Sequence, residues 1–82
     1  MNNEFNPTDN AKEIQRATVL EALRGKPTGT IEFRERYGIS HPAGRVLELR
    51  KAGHNIKTLS STVFDAAGRP HRSAVYVLGA AA

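Results

Sequence analysis

Apolar positions recur at helical spacing in the first half of the chain. Val19, Leu20 and Leu23 share one side of a helix that the pattern predicts to run from about residue 8 to residue 24. Phe33 and Tyr37 lie four residues apart and predict a short second helix, which opens at residues 28–30 and ends at residue 37, before a turn at residue 38. Both helices therefore offer an apolar side to a common core.

A third helix is predicted between Ser40, a good N-cap, and Gly53, which ends it. At about 100° per residue, Ala43, Val46 and Leu49 fall on one arc, which we expect to face the core. The opposite arc, which we expect to face solvent, contains His41, Gly44, Arg45, Glu48 and Lys51. Arg50 falls inside the apolar arc instead, so its stem is expected to cover the core while its head pairs with an acid such as Glu21 or Glu48, with DNA contact as the alternative.

After residue 53 the pattern changes to extended chain. Residues 55–64 are rich in Ile, Thr, Val and Phe, residues 65–68 carry a turn signal, and residues 71–78 return as a second strand. In that strand Tyr76 and Leu78 share one face and can be buried. A two-stranded hairpin is marginal alone, so it must lie against the helices. The predicted fold class is α+β: three helices followed by a two-stranded antiparallel hairpin. The domain spans residues 9–78, with tails at 1–8 and 79–82.

Composition narrows the function further. The chain has 82 residues, which is room for one hydrophobic core, and it contains no cysteine. Its formal net charge of +4 lies entirely after residue 39, where six bases meet two acids. A neutral scaffold followed by a basic half is typical of a polyanion-binding surface, although a basic surface kept for solubility gives the same count.

Other kinds of chemistry find little support. The three histidines fall in separate elements without metal-ligand spacing, no serine has a glycine-flanked elbow, and no glycine-rich phosphate loop occurs. No apolar run is long enough to span a membrane, and no export signal precedes the first helix. We therefore expect a cytoplasmic protein that is not an enzyme and that has no cofactor, metal or small-molecule substrate.

The unit from residue 28 to residue 52 has the order of a helix-turn-helix, in which the second helix enters the major groove of DNA. Here that helix spans residues 40–52, and the hairpin 55–78 adds a basic tip for phosphate or minor-groove contact. Arginine pairs well with guanine, and a carboxylate can accept from cytosine or simply orient a neighbouring arginine. The candidate DNA-contacting residues are Thr28, Thr30, Ser40, His41, Gly44, Arg45, Glu48, Lys51, Lys57, Arg69, His71 and Arg72.

Several motifs together resemble a known family. The runs are Val19-Leu20-x-x-Leu23, Phe33-x-x-x-Tyr37-Gly38-Ile39-Ser40-His41-Pro42-Ala43, Arg45-Val46-x-x-Leu49-Arg50-x-x-Gly53-His54-x-Ile56 and Ala74-x-Tyr76-Val77-Leu78. They are similar to those of small winged helix-turn-helix domains found in bacteriophages, prophages and bacteria. The resemblance covers residues 15–78, and it implies a winged-helix fold that binds DNA in a phage or prophage setting. It contributes no catalytic residue and no cofactor.

Two functions remain open. The first is binding of double-stranded DNA, as a transcriptional regulator or recombination accessory factor inside a bacterial host cell. The alternative is a phage-encoded adaptor or inhibitor that uses the same fold to bind a host protein. One small domain buries limited DNA surface, so useful specificity would need a homodimer or a protein partner.

Overall fold

Three helices and three strands follow one another in the computed structural model, which describes the backbone of residues 7–80 and the side chains of residues 11–80. The elements, in order, are α1 (Pro7–Gly25), β1 (Thr28–Gly29), α2 (Thr30–Glu35), α3 (Pro42–Lys51), β2 (Ile56–Phe64) and β3 (Pro70–Leu78). The predicted α+β arrangement of three helices and an antiparallel hairpin is confirmed. Helix α1 begins within the predicted tail 1–8, because proline is tolerated in a first helical turn. The rest of that tail, and residues 81–82 of the other, lie outside the described residues.

The sheet has three strands instead of the predicted two, in the order β1-β3-β2. Thr28 and Gly29 pair with Tyr76 and Val75, so the first two of the three residues predicted to open α2 belong to a strand instead. The helix begins only at Thr30. This short strand ties the start of α2 to the last strand of the chain.

The core lies between the helices and one face of the sheet. Its buried apolar side chains come from every helix and from both long strands: Val19, Leu23, Phe33, Ile39, Val46, Leu49, Ile56 and Tyr76. Phe33 packs at its centre, with ring centroids 5.8 Å from Tyr37 and 6.3 Å from Tyr76. Leu78 packs against the same cluster, which confirms the predicted buried face of the return strand.

The two long strands present two distinct faces. Strands β2 and β3 pair without interruption from Ile56↔Leu78 to Phe64↔Pro70, so side chains of equal parity share a face. Even-numbered residues form the inner face, which carries the buried Ile56 and Tyr76 and lies toward the helices. Odd-numbered residues form the outer face. The hairpin of β2, β3 and their turn is called the wing below.

Candidate nucleic-acid interface

A tight turn joins α2 to α3. Gly38 adopts a φ of 69°, a conformation that favours glycine, and the amide of Ile39 then donates to the Phe33 carbonyl at 2.9 Å. Helix α3 begins at Pro42, with His41 and not Ser40 at its N-cap position. The predicted capping role of Ser40 is therefore wrong. Its carbonyl oxygen instead accepts a hydrogen bond from Arg34 Nε at 3.3 Å.

The side of α3 that faces solvent differs from the predicted one. Ala43, Leu47, Arg50 and Lys51 are exposed, and we call these four residues the exposed arc. Leu47 leaves 51% of its surface accessible. The prediction that Ala43 faces the core is therefore wrong, whereas Val46 and Leu49 are buried as predicted. The exposed arc thus combines two apolar and two basic side chains with no acidic one.

Arg45 is buried, which contradicts its predicted place on the solvent side. Only 8% of the residue is accessible, and its Nη2 donates to Glu48 Oε2 at 2.8 Å. Its Nη1 lies 3.5 Å from Gln15 Oε1, at the limit of a hydrogen bond. A buried guanidinium requires such partners, and α1 supplies one of them. Arg45 therefore helps to hold α1 against α3 and leaves little surface for contact with a base.

Glu48 is also committed to structure. Besides Arg45, it accepts a hydrogen bond from Arg16 Nη1 on α1 at 2.9 Å. The Arg16 hydrogen bond has the largest effect on the pKa of Glu48 and lowers it. Burial opposes this effect, but the Arg45 hydrogen bond and the charge of both cations add to the lowering. The carboxylate is thus occupied by two arginines, so the contact between Glu48 and cytosine is not supported. The ion pair with Arg45 agrees with the alternative, in which Glu48 orients a neighbouring arginine.

Arg50 lies at the junction of α3 and the wing. Its Nε donates to the Ile56 carbonyl at 2.7 Å, and its Nη2 donates to Thr58 Oγ1 at 2.6 Å. A structural role was predicted for this residue, but its expected acidic partner is wrong. Two hydrogen bonds thus fix the position of this cation within the exposed arc.

Three further candidates serve the scaffold. Thr28 is buried, with 1% of its surface accessible, so its burial does not support the predicted DNA contact. Thr30 is half-buried, and its hydroxyl lies 3.4 Å from the Ala74 carbonyl. A Cβ added to Gly44 would come within 2.5 Å of the His41 ring, so this glycine makes room for His41 and not for a DNA backbone. His41 itself is exposed.

The predicted basic patch at the tip of the wing is divided by the register. Arg72 pairs with Thr62 on the inner face, whereas Lys57 pairs with Val77 on the outer face, near the base of the wing. Lys57 therefore lies neither at the tip nor on the same face as Arg72. The sequence could not reveal this division, because it depends on which β2 residue stands opposite which β3 residue.

Asp65 pairs with the other two basic residues of the tip, Arg69 and His71. Its carboxylate lies 2.9 Å from His71 Nε2 and 3.3 Å from Arg69 Nε. The hydrogen bond with His71, and next the backbone amide of Arg69, lower the pKa of Asp65. Arg69 and His71 thus brace the turn, while Arg72 has no acidic partner among residues 11–80.

Arg34 was not among the predicted contact residues, yet the structure places it near Arg72, which was. It lines one cleft together with Arg72, between α2 and the part of β3 that extends beyond β1. The signal in the sequence was a base in α2, four residues before the turn glycine. Arg34 also donates to the Ser40 carbonyl, just before α3. We take Arg34, Arg72 and the exposed arc together as the candidate surface.

Comparison with known proteins bears on this surface. A family model described as the winged helix-turn-helix domain matches residues 14–81. No curated protein and no solved structure gives a significant match. No group of three or more side chains that could hold a metal ion occurs in the described part of the chain. Within residues 7–80, no helix combines the length and apolar composition needed to cross a bilayer.

Proposed function

The chain belongs to the winged helix-turn-helix domain family, and on that premise we propose that it binds double-stranded DNA through α3 and the wing. The observation that carries the proposal is the exposed arc of α3. It presents two cations and two apolar side chains on the second helix of a helix-turn-helix, and none of these four residues is acidic. Acidic side chains there would repel phosphate, and their absence favours approach to DNA.

The exposed arc has the chemistry for base recognition. Lys51 can donate to guanine in the major groove, and Ala43 and Leu47 can contact thymine methyl groups. Arg50 brings a fixed positive charge to the same side. This assignment replaces Arg45 and Glu48 as the proposed base-reading residues.

The flanking cations are suited to the DNA backbone. Arg34 and Arg72 lie on either side of one cleft and carry no acidic partner among residues 11–80. Ser40 and His41 are exposed at the start of α3 and can add polar contacts to phosphate. Such contacts fix the register of a protein on the duplex without reading sequence.

The biological setting is a further part of the proposal. We place the protein in the cytoplasm of a bacterial host, as a phage or prophage transcriptional regulator or recombination accessory factor. The support for this setting is the resemblance of the sequence motifs to those of phage and bacterial domains. Either role uses the same contact between one domain and duplex DNA.

A fluorescence anisotropy titration with random duplex DNA tests the proposal. We expect affinity to fall as salt rises, because phosphate contacts release counterions. Leu47→Glu should weaken binding by more than about tenfold, since it sets a negative charge against the duplex. The matched control is Ile14→Glu on α1, which adds the same charge at another exposed apolar residue. Equal loss in both variants, or no binding at low salt, would exclude the exposed arc as the DNA-binding surface.

Protein binding is the second candidate, and one observation favours it. Ile31 on α2 and Phe64 at the end of β2 are 39% and 68% exposed, and they line one groove with Val63 and Val75. Exposed apolar groups gathered in a groove are typical of a protein contact. If duplex DNA does not bind at low salt, this groove becomes the better candidate for the functional surface.

A further inference from the structure

Strand β2 lies at the edge of the sheet, because the strand order is β1-β3-β2. Two hydrogen bonds bracket its ladder with β3: Gly79 N–H donates to the Asn55 carbonyl at 2.7 Å, and Asp65 N–H donates to the Arg69 carbonyl at 3.0 Å. In an antiparallel ladder such bonded pairs occur at every second residue. The odd-numbered residues of β2 therefore bond to β3, and the even-numbered residues direct their N–H and C=O groups to the open edge.

The first of these even-numbered residues is already satisfied. Ile56 N–H donates to the His54 carbonyl at 3.1 Å, and its carbonyl accepts from Arg50. The backbone groups of Thr58, Ser60, Thr62 and Phe64 remain, and no strand among residues 7–80 pairs with them. The open edge thus offers an N–H donor and a C=O acceptor at each of four alternate residues.

The usual protections of an edge strand are lacking here. Sheet edges are commonly guarded by charged residues, proline or a bulge that turns the strand away. β2 contains no proline, its pairing with β3 is uninterrupted, and its one charged residue, Lys57, lies near its start. Leu59 is 54% exposed and Phe64 is 68% exposed. An edge of this kind is suited to pairing with another strand.

We propose that two copies of this chain pair through β2, antiparallel, with Ser61 of each copy facing Ser61 of the other. Only outward-facing residues can bond across the new ladder, so even-numbered residues must stand opposite even-numbered ones. In the proposed register Thr58 faces Phe64 and Ser60 faces Thr62 of the second copy. A shift by two residues in either direction leaves some of the four unpaired or requires Ile56, whose groups are already used.

Side chains on the outer face agree with the same register. Leu59 stands opposite Val63 of the second copy, so two apolar side chains meet in a close, non-hydrogen-bonded pair. Lys57 stands opposite Asp65 of the second copy, which sets opposite charges against each other. The strand is therefore complementary to itself in both backbone bonding and side-chain chemistry.

The dimer would also suit DNA, and this step rests on the proposed function. The two-fold axis runs perpendicular to the sheet, so both α3 helices lie on the same side of a six-stranded sheet. Arg50 anchors α3 at Ile56, and Ile56 would stand opposite position 66 of the second copy. The two anchor points are then separated by ten residues along the ladder, or about 34 Å at the rise of antiparallel strands. This matches the separation of half-sites one turn apart on B-DNA, about 34–36 Å.

A cysteine placed on the proposed axis provides the first test. The chain has no cysteine of its own, so Ser61→Cys introduces a single thiol. Facing residues of a non-hydrogen-bonded pair have Cα atoms about 4.5 Å apart, within the range of a disulfide. The matched control is Ser73→Cys, because Ser73 pairs with Ser61 on the same face but lies one strand away from the axis. We expect Ser61→Cys to cross-link at least about tenfold faster under mild oxidation. Equal rates would overturn the proposal.

Sedimentation velocity over a concentration series provides the second test. The wild-type chain should dimerise, and Ser61→Lys should remain monomeric because two like charges meet at the axis. Ser73→Lys should dimerise like the wild type. A wild-type chain that stays monomeric throughout, or a Ser61→Lys variant that dimerises equally well, would overturn the proposal.

Both tests are made without DNA, so they can be separated from the proposed function. Cross-linked Ser61→Cys on a long random duplex should show about twice the salt slope of monomeric Ser61→Lys, since twice as many phosphates are contacted. Cross-linking without any DNA binding would leave the dimer intact and refute the DNA-binding proposal. Salt-dependent DNA binding by a chain that does not cross-link would do the reverse.

Discussion

The two faces of the wing give a direct prediction about DNA affinity. Arg34, Arg50, Lys51 and Arg72 lie on the candidate surface, and none forms an ion pair with an acidic side chain among residues 11–80. If all four neutralise phosphate, the slope of log affinity against log salt is about −3.6 for one domain. Between 50 mM and 200 mM salt, affinity should then fall roughly 150-fold.

Arg72→Ala tests this arithmetic. Removing one phosphate contact should change the slope to about −2.7 and reduce the loss over the same salt range to roughly 40-fold. Lys57→Ala removes an equal charge from the outer face and should leave the slope unchanged. The assay is fluorescence anisotropy on a duplex too short for two domains. If Lys57→Ala changes the slope as much as Arg72→Ala does, the duplex does not select the inner face, and the assignment of the surface is refuted.

Three other predictions follow from the helices and the turn. Leu49→Ala should lower the free energy of unfolding by about 2–5 kcal/mol, because Leu49 is buried, whereas Leu47→Ala should change it by less than about 0.5 kcal/mol. A similar loss of stability in both variants, measured by urea denaturation, would contradict the orientation of α3. Arg45→Ala should lower Tm in calorimetry yet leave the affinity of the folded protein for random duplex unchanged, since Arg45 bonds within the fold; weaker DNA binding by the folded variant would restore it as a contact residue. His71 lowers the pKa of Asp65 in the folded state, so this contribution to stability is complete above the ordinary carboxyl pKa and is lost as pH falls below about 4 through the lowered value. Asp65→Asn should therefore lose less free energy of unfolding on acidification than the wild type, as measured by denaturation at each pH. An equal loss in both proteins would show that the pair contributes nothing to stability.

Local patterns were sufficient for the existence and order of the main elements. The spacing of Phe33 and Tyr37, with Gly38 after them, marks a short helix and its turn, and the structure has both. The alternation around Tyr76 marks the buried face of β3 correctly. These features depend on neighbouring residues, so they can be read from the sequence alone.

Strand β1 could not be predicted in this way. Thr28 and Gly29 are two residues without alternation, and glycine is unfavourable in strands. Their extended conformation follows from pairing with Tyr76 and Val75 at the other end of the chain. Such a contact has no local signal.

The orientation of α3 could not be predicted for a similar reason. Hydrophobicity alone places Ala43 inside and Arg45 outside. In the structure Gln15 and Glu48 give the Arg45 guanidinium polar partners, and its burial becomes tolerable. Ala43 is then turned to solvent. The predicted base contacts share this error, because each of them depends on which side of α3 faces solvent.

The pairing of residue 28 with residue 76 also has a consequence during synthesis. Phe33 emerges from the ribosome early, but its aromatic neighbour Tyr76 belongs to the last strand. Contacts so distant in sequence can form only after the chain between them is available, and their loop must close first. The core therefore cannot close completely on the helices alone, and part of the apolar side of α2 stays uncovered until nearly all of these residues have been translated.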